Sequence, residues 1–370
     1  MPYRSLALPL AVAYALLVVY ASTYPFTGWR WPPGAALADL LVVPWLPWRG
    51  WFDDLSNLLG YTPLGALIFV AAVRGTGTRW QATMAVIWAL ALPAAMSYSL
   101  EVMQQLIPQR VPSARDLTLN VCGAALGTLV AALLWHWGAL QAWQRLQERW
   151  FVADSASGMA LLLLWPVALL MPQPLPLGLG QVFEPLHRAA LAVLEGVTWA
   201  QPISLMIAPL TAAQPLAPIS EALATASGLL APSLLAVAIT RGVFRRWVMV
   251  ALMAIAALAT QTLSTAINFS PDYALAWIGH TTASALSLAV LTALVLSVSN
   301  ARAVYAVALV VVTLHVVLVS QAPLDPYRVA NLQAWEQGRF IRFHGLAQWV
   351  GWLWPYACMA WLLARLTRRR

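Results

Sequence analysis

The sequence contains no lysine, only two cysteines and only 13 acidic residues in a chain of 370. Charged residues make up 9% of it, whereas soluble proteins carry roughly 25%. A soluble core of this size would have too few polar residues to cover its surface. Two cysteines exclude a disulfide-rich fold, and the dominance of apolar runs excludes intrinsic disorder.

Long apolar segments fill the chain instead, which is 61% hydrophobic with a mean hydropathy of +0.72. A helix that crosses a bilayer needs about 20 mostly apolar residues. We therefore predict an all-α, polytopic helical membrane protein with about ten transmembrane helices. The predicted spans are Ser5–Tyr24, Leu55–Val73, Trp80–Leu100, Leu117–Trp137, Ala156–Met171, Ala222–Thr240, Trp247–Ile267, Tyr273–Val298, Ala303–Ser320 and Ala347–Leu366.

The first span has two interpretations. Arg4, the apolar stretch and the small residues Ala21 and Ser22 resemble a secretory signal peptide. The nine further spans favour an uncleaved signal anchor.

The net charge of +8 comes entirely from arginine, since all 21 basic residues are arginines. They lie between apolar runs, which indicates membrane orientation rather than a nucleic-acid partner. With the N-terminus in the cytoplasm, alternating spans place 13 arginines inside and 8 outside. We predict a bacterial inner (cytoplasmic) membrane protein with both termini cytoplasmic, and Arg365-x-x-Arg368-Arg369-Arg370 as a topological anchor near anionic lipid head groups.

Three segments between the predicted spans have distinct compositions. Residues 24–51 are rich in tryptophan and proline, which is typical of a membrane interface. Residues 141–151 are predicted to form a short amphipathic connector, and residues 183–199 a helix lying in the membrane plane.

The chain also contains an apparent internal repeat. Arg74-Gly75-x-x-x-Arg79-Trp80 recurs as Arg241-Gly242-x-x-x-Arg246-Trp247, each time between two apolar spans. Matching spans one to four with spans five to eight predicts two parallel four-helix units. We accordingly expect domains at 1–150, 151–300 and 301–370. Chance alignment of apolar segments is the competing explanation.

Polar residues concentrate in the third and fourth spans. Glu101, Gln104 and Gln105 end the third span, and a turn with Arg110 leads to Arg115. Four residues at helical spacing then share one face of the fourth span: Asp116, Asn120, Gly123 and Gly127. The two glycines predict a close helix neighbour, so that Asp116 and Asn120 face protein rather than lipid.

The second span also begins with a group of polar residues. Asp54, Asn57 and Tyr61 share a face, and Gly65 follows. A structural interpretation is that Asp53 or Asp54 simply caps the helix and complements its dipole. The corresponding structural interpretation for Glu101 and the arginines is a salt-bridged loop.

These motifs, in this order, resemble the VanZ-like integral membrane proteins over about residues 50–137. The matching pattern is Asp54-x-x-Asn57, Pro63-x-Gly65, Glu101-x-x-Gln104, Arg110 and Asp116-x-x-x-Asn120-x-x-Gly123-x-x-x-Gly127. The resemblance implies a role in the cell envelope, because the founding member is associated with resistance to a glycopeptide antibiotic. It supplies no reaction.

Several activities fit this polar group. Glu101 and Asp116 are candidate catalytic carboxylates for an enzyme acting on a lipid-linked phosphate. An anionic lipid head group, or a lipid-linked envelope precursor, would instead be bound by the candidate substrate-binding residues Asp54, Asn57, Gln104, Arg110, Arg115 and Asn120. A transporter and a purely structural scaffold also fit these residues. Gly65, Gly123 and Gly127 are predicted to pack helices.

We predict no metal and no cofactor. Cys122 and Cys358 stand alone within spans, and no two histidines have the i, i+4 spacing of a zinc site.

A serine hydrolase would need a base beside its nucleophile. Gly279-His280-Thr281-Thr282 resembles a lipid-phosphatase fragment but lacks its partner residues, so a structural His280 is favoured.

Overall fold

The protein is all α-helical, as predicted, in a computed structural model of the chain. No β-sheet occurs among the residues that the structure describes, which contain one isolated β-bridge between Phe151 and Thr240. The described residues are 7–23, 28–47, 51–73, 78–108, 110–171, 173–194, 201–202, 216–268, 271–322 and 341–367.

Thirteen α-helices occur in the described part of the chain. They are α1 Ala7–Thr23, α2 Leu37–Leu40, α3 Trp51–Ala72, α4 Arg79–Gln104, α5 Ala114–His136, α6 Ala139–Trp150, α7 Ala156–Leu169, α8 Phe183–Leu194, α9 Pro218–Ile239, α10 Val243–Asn268, α11 His280–Leu296, α12 Ala301–Ser320 and α13 Ile341–Thr367. A 3₁₀ turn at Pro271–Tyr273 precedes α11.

Six of these helices, α3, α4, α5, α9, α10 and α12, are long and apolar enough to cross a membrane. The helices α1, α7 and α11 are apolar but shorter, with 17, 14 and 17 residues. The chain is therefore an integral membrane protein. The prediction of one continuous span over Tyr273–Val298 is wrong at its start, because Gly279 is the N-cap of α11 and the helix begins at His280.

Helices are present at both segments that were predicted to be helical without spanning the membrane, residues 141–151 and 183–199. The connector forms α6, whose Trp143 and Leu146 are exposed. The predicted helix at 183–199 forms α8 up to Leu194. Some residues named in the sequence predictions lie outside the described residues. They are Arg4, the first Arg-Gly pair with residues 76–77, residues 195–199 and the arginines 368–370.

The chain divides into two compact units, unit 1 at Met1–Gln147 and unit 2 at Glu148–Arg370. In unit 1, α3 packs against α1, α4 and α5, and its most extensive contact is with α5. The predicted three-domain arrangement stays a prediction.

The contact between α3 and α5 is a backbone-to-backbone approach at glycine. A Cβ atom placed on Gly123 would lie 2.1 Å from the Leu58 carbonyl oxygen, and one on Gly127 only 1.8 Å from that of Thr62. From the other side, a Cβ on Gly65 would lie 2.1 Å from the Ala124 carbonyl oxygen. Only glycine fits at these three positions.

Unit 2 is organised around α9, which is almost entirely buried. It packs against α7, α10, α11 and α12, while α13 packs against α7 and α12. Arg246, from the second copy of the repeated motif, connects two helix ends of this unit. Its guanidinium donates hydrogen bonds to the carbonyl oxygens of Thr240 at 3.0 Å and Ser297 at 2.6 Å, which are the C-caps of α9 and α11. An arginine there satisfies carbonyls that a helix end leaves unpaired.

The substitution Gly127→Ala tests the close approach of α3 and α5. We expect it to lower the thermal unfolding midpoint of the purified protein, with a cost of about 1–3 kcal/mol or more, because the new methyl group forces the helices apart. Gly60→Ala, in α3, is the matched control, since nothing lies within 4 Å of a Cβ there. Equal midpoints for the two variants would contradict the proposed role of Gly127.

Candidate functional site

The polar residues of unit 1 gather where α3 begins, α4 ends and α5 begins. We call this region the polar end and define it by Asp54, Asn57, Tyr61, Ser97, Glu101, Gln104, Arg110, Ser113, Arg115, Asp116 and Asn120. All of these residues are at least half-buried. The elements that hold them belong to one compact unit.

Glu101 fixes the start of α5. Ser113 is the N-cap of that helix, and its hydroxyl accepts a hydrogen bond from the Arg115 amide at 3.1 Å. The amide of Ser113 in turn donates to Oε2 of Glu101 at 2.9 Å. Glu101 is only 5% exposed. A carboxylate that accepts a buried amide near a helix N-terminus is favoured both by the hydrogen bond and by the helix dipole.

Arg115 and Asp54 join α5 to α3. Arg115 donates from Nε to Oδ1 of Asp54 at 3.1 Å and from Nη2 to Oδ2 at 2.7 Å. This bidentate geometry is the strong form of an arginine–carboxylate pair. The side chains are 30% and 23% exposed, so solvent screens much of the attraction and the pair contributes little to stability.

Buried side chains connect α5 to α4 below this ion pair. Asn120 on α5 donates from Nδ2 to the Ser97 hydroxyl on α4 at 2.9 Å. Tyr61 of α3 is buried beside Ser97. The other amide atom of Asn120, Oδ1, is buried and has no hydrogen-bond partner. This unpaired acceptor costs about 1–3 kcal/mol.

Arg110 and Gln104 bind the end of α1. Arg110 donates from Nη2 to the Ala21 carbonyl oxygen at 2.9 Å, and Gln104 donates from Nε2 to that of Ser22 at 3.2 Å. These carbonyls lie in the last turn of α1, where a helix has no internal donors for them. Both side chains thus have a structural role in addition to any ligand contact.

Two more predicted site residues lie at the polar end. Asn57 is half-buried on α3, one turn beyond Asp54, and its side chain has no hydrogen bond within the described part of the chain. Asp116 is half-buried in the first turn of α5. The structure thus brings all the predicted catalytic and binding residues to one end of unit 1, and the predicted packing residues Gly65, Gly123 and Gly127 to the adjoining helix crossing.

Ser97 and Ser113 are the residues that the sequence interpretation missed. Ser97 precedes Glu101 by one helical turn, so the i, i+4 spacing that linked Asp116 to Asn120 would also have selected it. Ser113 precedes the α5 apolar run, which is the position of an N-cap.

No cluster of three or more histidine, cysteine, aspartate or glutamate residues with the geometry of a metal site occurs in the described part of the chain.

His315, in unit 2, lies beside a serine but has the hydrogen bonds of a structural residue. Its Nε2 accepts from the Leu179 amide at 3.2 Å, so Nδ1 carries the proton. Nδ1 lies 3.1 Å from the Ala224 carbonyl oxygen and 3.0 Å from the Ser227 hydroxyl. With Nδ1 protonated, His315 does not act as a base toward Ser227, and the pair instead attaches the segment around Leu179 to α9.

Comparison with known families identifies the part of the chain that holds the polar end. Residues 9–135 match the family model of VanZ/LLP1. The chain carries a VanZ/LLP1 family domain. The match covers α1 to α5, and confirms the resemblance drawn from the motifs of α3, α4 and α5. No curated protein and no solved structure matches the chain significantly.

The substitution Ser97→Ala tests the hydrogen bond that connects α4 and α5 of the VanZ/LLP1 domain. It removes the acceptor of Asn120, so we expect a loss of about 1–3 kcal/mol in the free energy of unfolding. Ser99→Ala is the matched control, because that exposed hydroxyl bonds only to Ala95 of its own helix. Thermal unfolding in detergent measures both, and an equal effect would show that Ser97 does not hold the helices together.

Proposed function

We propose that the VanZ/LLP1 domain binds the anionic, phosphate-bearing head group of a membrane lipid or of a lipid-linked envelope precursor at its polar end, without chemical turnover. The partly exposed guanidinium of Arg115 is the observation that carries this proposal. Asp54 takes two of its five N–H donors, which leaves three for phosphate oxygens. Arginine is the preferred residue for such recognition.

The unpaired Oδ1 of Asn120 supports a ligand that also offers a hydrogen-bond donor. Acidic residues outnumber arginines at the polar end, since Asp54, Glu101 and Asp116 accompany Arg110 and Arg115. A head group with phosphate and a hydroxyl or amine therefore fits better than a bare anion. Asn57 presents a second amide one turn from Asp54.

Two features favour binding over catalysis or transport: the carboxylates Glu101 and Asp54 already have partners within the domain, and its interior beyond Asn120 is largely apolar. Glu101 accepts from a backbone amide and Asp54 pairs with Arg115, so both have structural partners. Beyond Asn120 the buried residues of α5 are small: Gly123, Ala124, Gly127, Thr128 and Ala131. The Thr128 hydroxyl donates to its own helix. Transport would need a polar path through this region.

The polar end is proposed to face outward from a bacterial inner membrane, with both termini cytoplasmic. The excess of arginine at the opposite ends of the spans supports this orientation. Binding of a lipid-linked precursor there would connect the protein to tolerance of glycopeptide-type antibiotics, as the resemblance implies.

Lipid identification on the purified protein tests the head-group proposal. Native mass spectrometry of the wild type should show a retained phosphate-bearing lipid, and Arg115→Gln should reduce its occupancy at least tenfold. Arg79→Gln, an exposed arginine at the other end of α4, is the control and should retain the lipid. Arg115→Lys should bind with intermediate affinity, because it keeps the charge but loses the bidentate geometry.

Two results would contradict head-group binding. One is a wild-type protein without any retained phosphate lipid that also binds neither phosphatidylglycerol nor a polyprenyl phosphate in nanodiscs. The other is undiminished binding by an Arg115→Gln protein whose thermal unfolding matches the wild type.

Cysteine labelling tests the orientation. In a chain with Cys122 and Cys358 replaced by alanine, Asp53→Cys at the exposed start of α3 should react with a membrane-impermeant maleimide in intact spheroplasts. Arg79→Cys should react only after permeabilisation, because one span separates the two positions. The reverse pattern would place the polar end in the cytoplasm.

A further inference from the structure

The end of α10 in unit 2 carries a second polar face, distinct from the polar end of unit 1. It consists of Gln261, Ser264, Thr265 and Asn268, whose spacing places them on one side of the helix. All four are buried, and Gln261 and Asn268 are each 8% exposed. Four buried polar residues at the end of an apolar helix need a partner.

Several polar atoms of this face and of the segment that follows α7 have no partner. The buried atoms without a hydrogen bond include Oε1 of Gln261 and Oδ1 of Asn268, and both side-chain amide atoms of Gln173. These are four of the eight such atoms in the described part of the chain. Each is a buried polar group that destabilises the fold when nothing binds to it.

The face is directed at the end of α7. The hydroxyl of Ser264 donates to the Leu170 carbonyl oxygen at 3.1 Å, and Nδ2 of Asn268 lies 3.4 Å from the same oxygen. Leu170 is the C-cap of α7, and Gln173 follows it by three residues. Nδ2 of Asn268 also donates to the Ser264 backbone at 2.7 Å, so its orientation is fixed with Oδ1 left open.

The chemistry of the face is uncharged. Its side chains are amides and hydroxyls, and Asp272, the first acid after α10, is exposed. Two open amide oxygens accept hydrogen bonds, while Gln173 both donates and accepts. Hydroxyl groups satisfy all of these atoms without bringing a charge into the membrane, whereas an ammonium or phosphate would find no counter-ion among the described residues of this face.

We propose that the junction of the end of α7 with the polar face of α10 binds the hydroxyl groups of an uncharged glycosyl head group of a membrane lipid. Oε1 of Gln261 and Oδ1 of Asn268 accept hydrogen bonds from the sugar, and Gln173 completes its contacts. This site belongs to unit 2 alone and does not depend on the function proposed for the VanZ/LLP1 domain.

The apparent repeat supports the position of this site. In unit 1, α3 packs against α1, α4 and α5, and in unit 2, α9 packs against α7, α10 and α11 and also against α12. By this correspondence α10 is the counterpart of α4, which brings Ser97 and Glu101 to the polar end. The two units thus place a charged and an uncharged polar site on corresponding helices.

Binding measurements in nanodiscs test the proposal. The probe is monoglucosyl diacylglycerol in phosphatidylcholine nanodiscs, and diacylglycerol without the sugar is the reference lipid. We expect the wild type to bind the glucolipid at least tenfold more tightly, as counted by native mass spectrometry. Gln261→Met should remove this preference, because it deletes one acceptor at similar volume and breaks no hydrogen bond within the described residues.

Two control variants locate the effect. Leu263→Met lies on the exposed side of α10 and should bind like the wild type. Asn120→Leu alters the polar end of unit 1 and should also leave glucolipid binding unchanged, so a failure of either proposal is distinguishable from failure of the other. Thermal unfolding of each variant shows that the chain is folded.

Three outcomes would overturn the proposal. The wild type could show no preference for the glucolipid, or Gln261→Met could keep the preference in full. An experimental density map that shows only ordered water beside Gln261 and Asn268 in glucolipid nanodiscs would assign these atoms to hydration instead.

Discussion

The close approach of α3 and α5 at glycine determines how the polar residues of unit 1 are positioned. Within a bilayer the hydrophobic effect does not draw apolar helices together, so their packing and hydrogen bonds must hold them. A Cβ on Gly123 would lie 2.1 Å from the backbone of Leu58, which fixes the register of the two helices within a fraction of a turn. That register brings Arg115 of α5 to Asp54 of α3, and the same face of α5 carries Asn120 to Ser97.

The buried polar side chains of this unit share one role, which is to form hydrogen bonds with backbone groups or side chains that would otherwise lack a partner. Glu101 accepts the amide of an N-cap, and Arg110 covers a carbonyl at the end of α1. In unit 2, Arg246 does the same for α9 and α11. Against this background the atoms left without partners are the informative ones, because nothing within the described chain explains their burial.

Much of the fold was predictable because the membrane imposes a strong constraint on sequence. Apolar length alone located the helices, and 3.6-residue periodicity placed Asn120, Gly123 and Gly127 on one face. The predictions failed where helix ends depend on local contacts. The residues before His280 are as apolar as a span, yet Gly279 starts the helix there. Ser97 was missed although it precedes Glu101 by one helical turn, because its hydrogen bond to Asn120 of α5 is known only from the packed helices.

Hydropathy and motif spacing are local properties, and they are enough to identify the class of protein, the order of the apolar helices and the family of the first five. The partner of each polar group depends on how the helices pack: Asp54 for Arg115, the Ser113 amide for Glu101, and α1 for Arg110. The tertiary structure also revealed the open amide oxygens of Asn120, Gln261 and Asn268, because a hydrogen bond joins atoms that are distant along the chain, and its absence is visible only when the helices are packed.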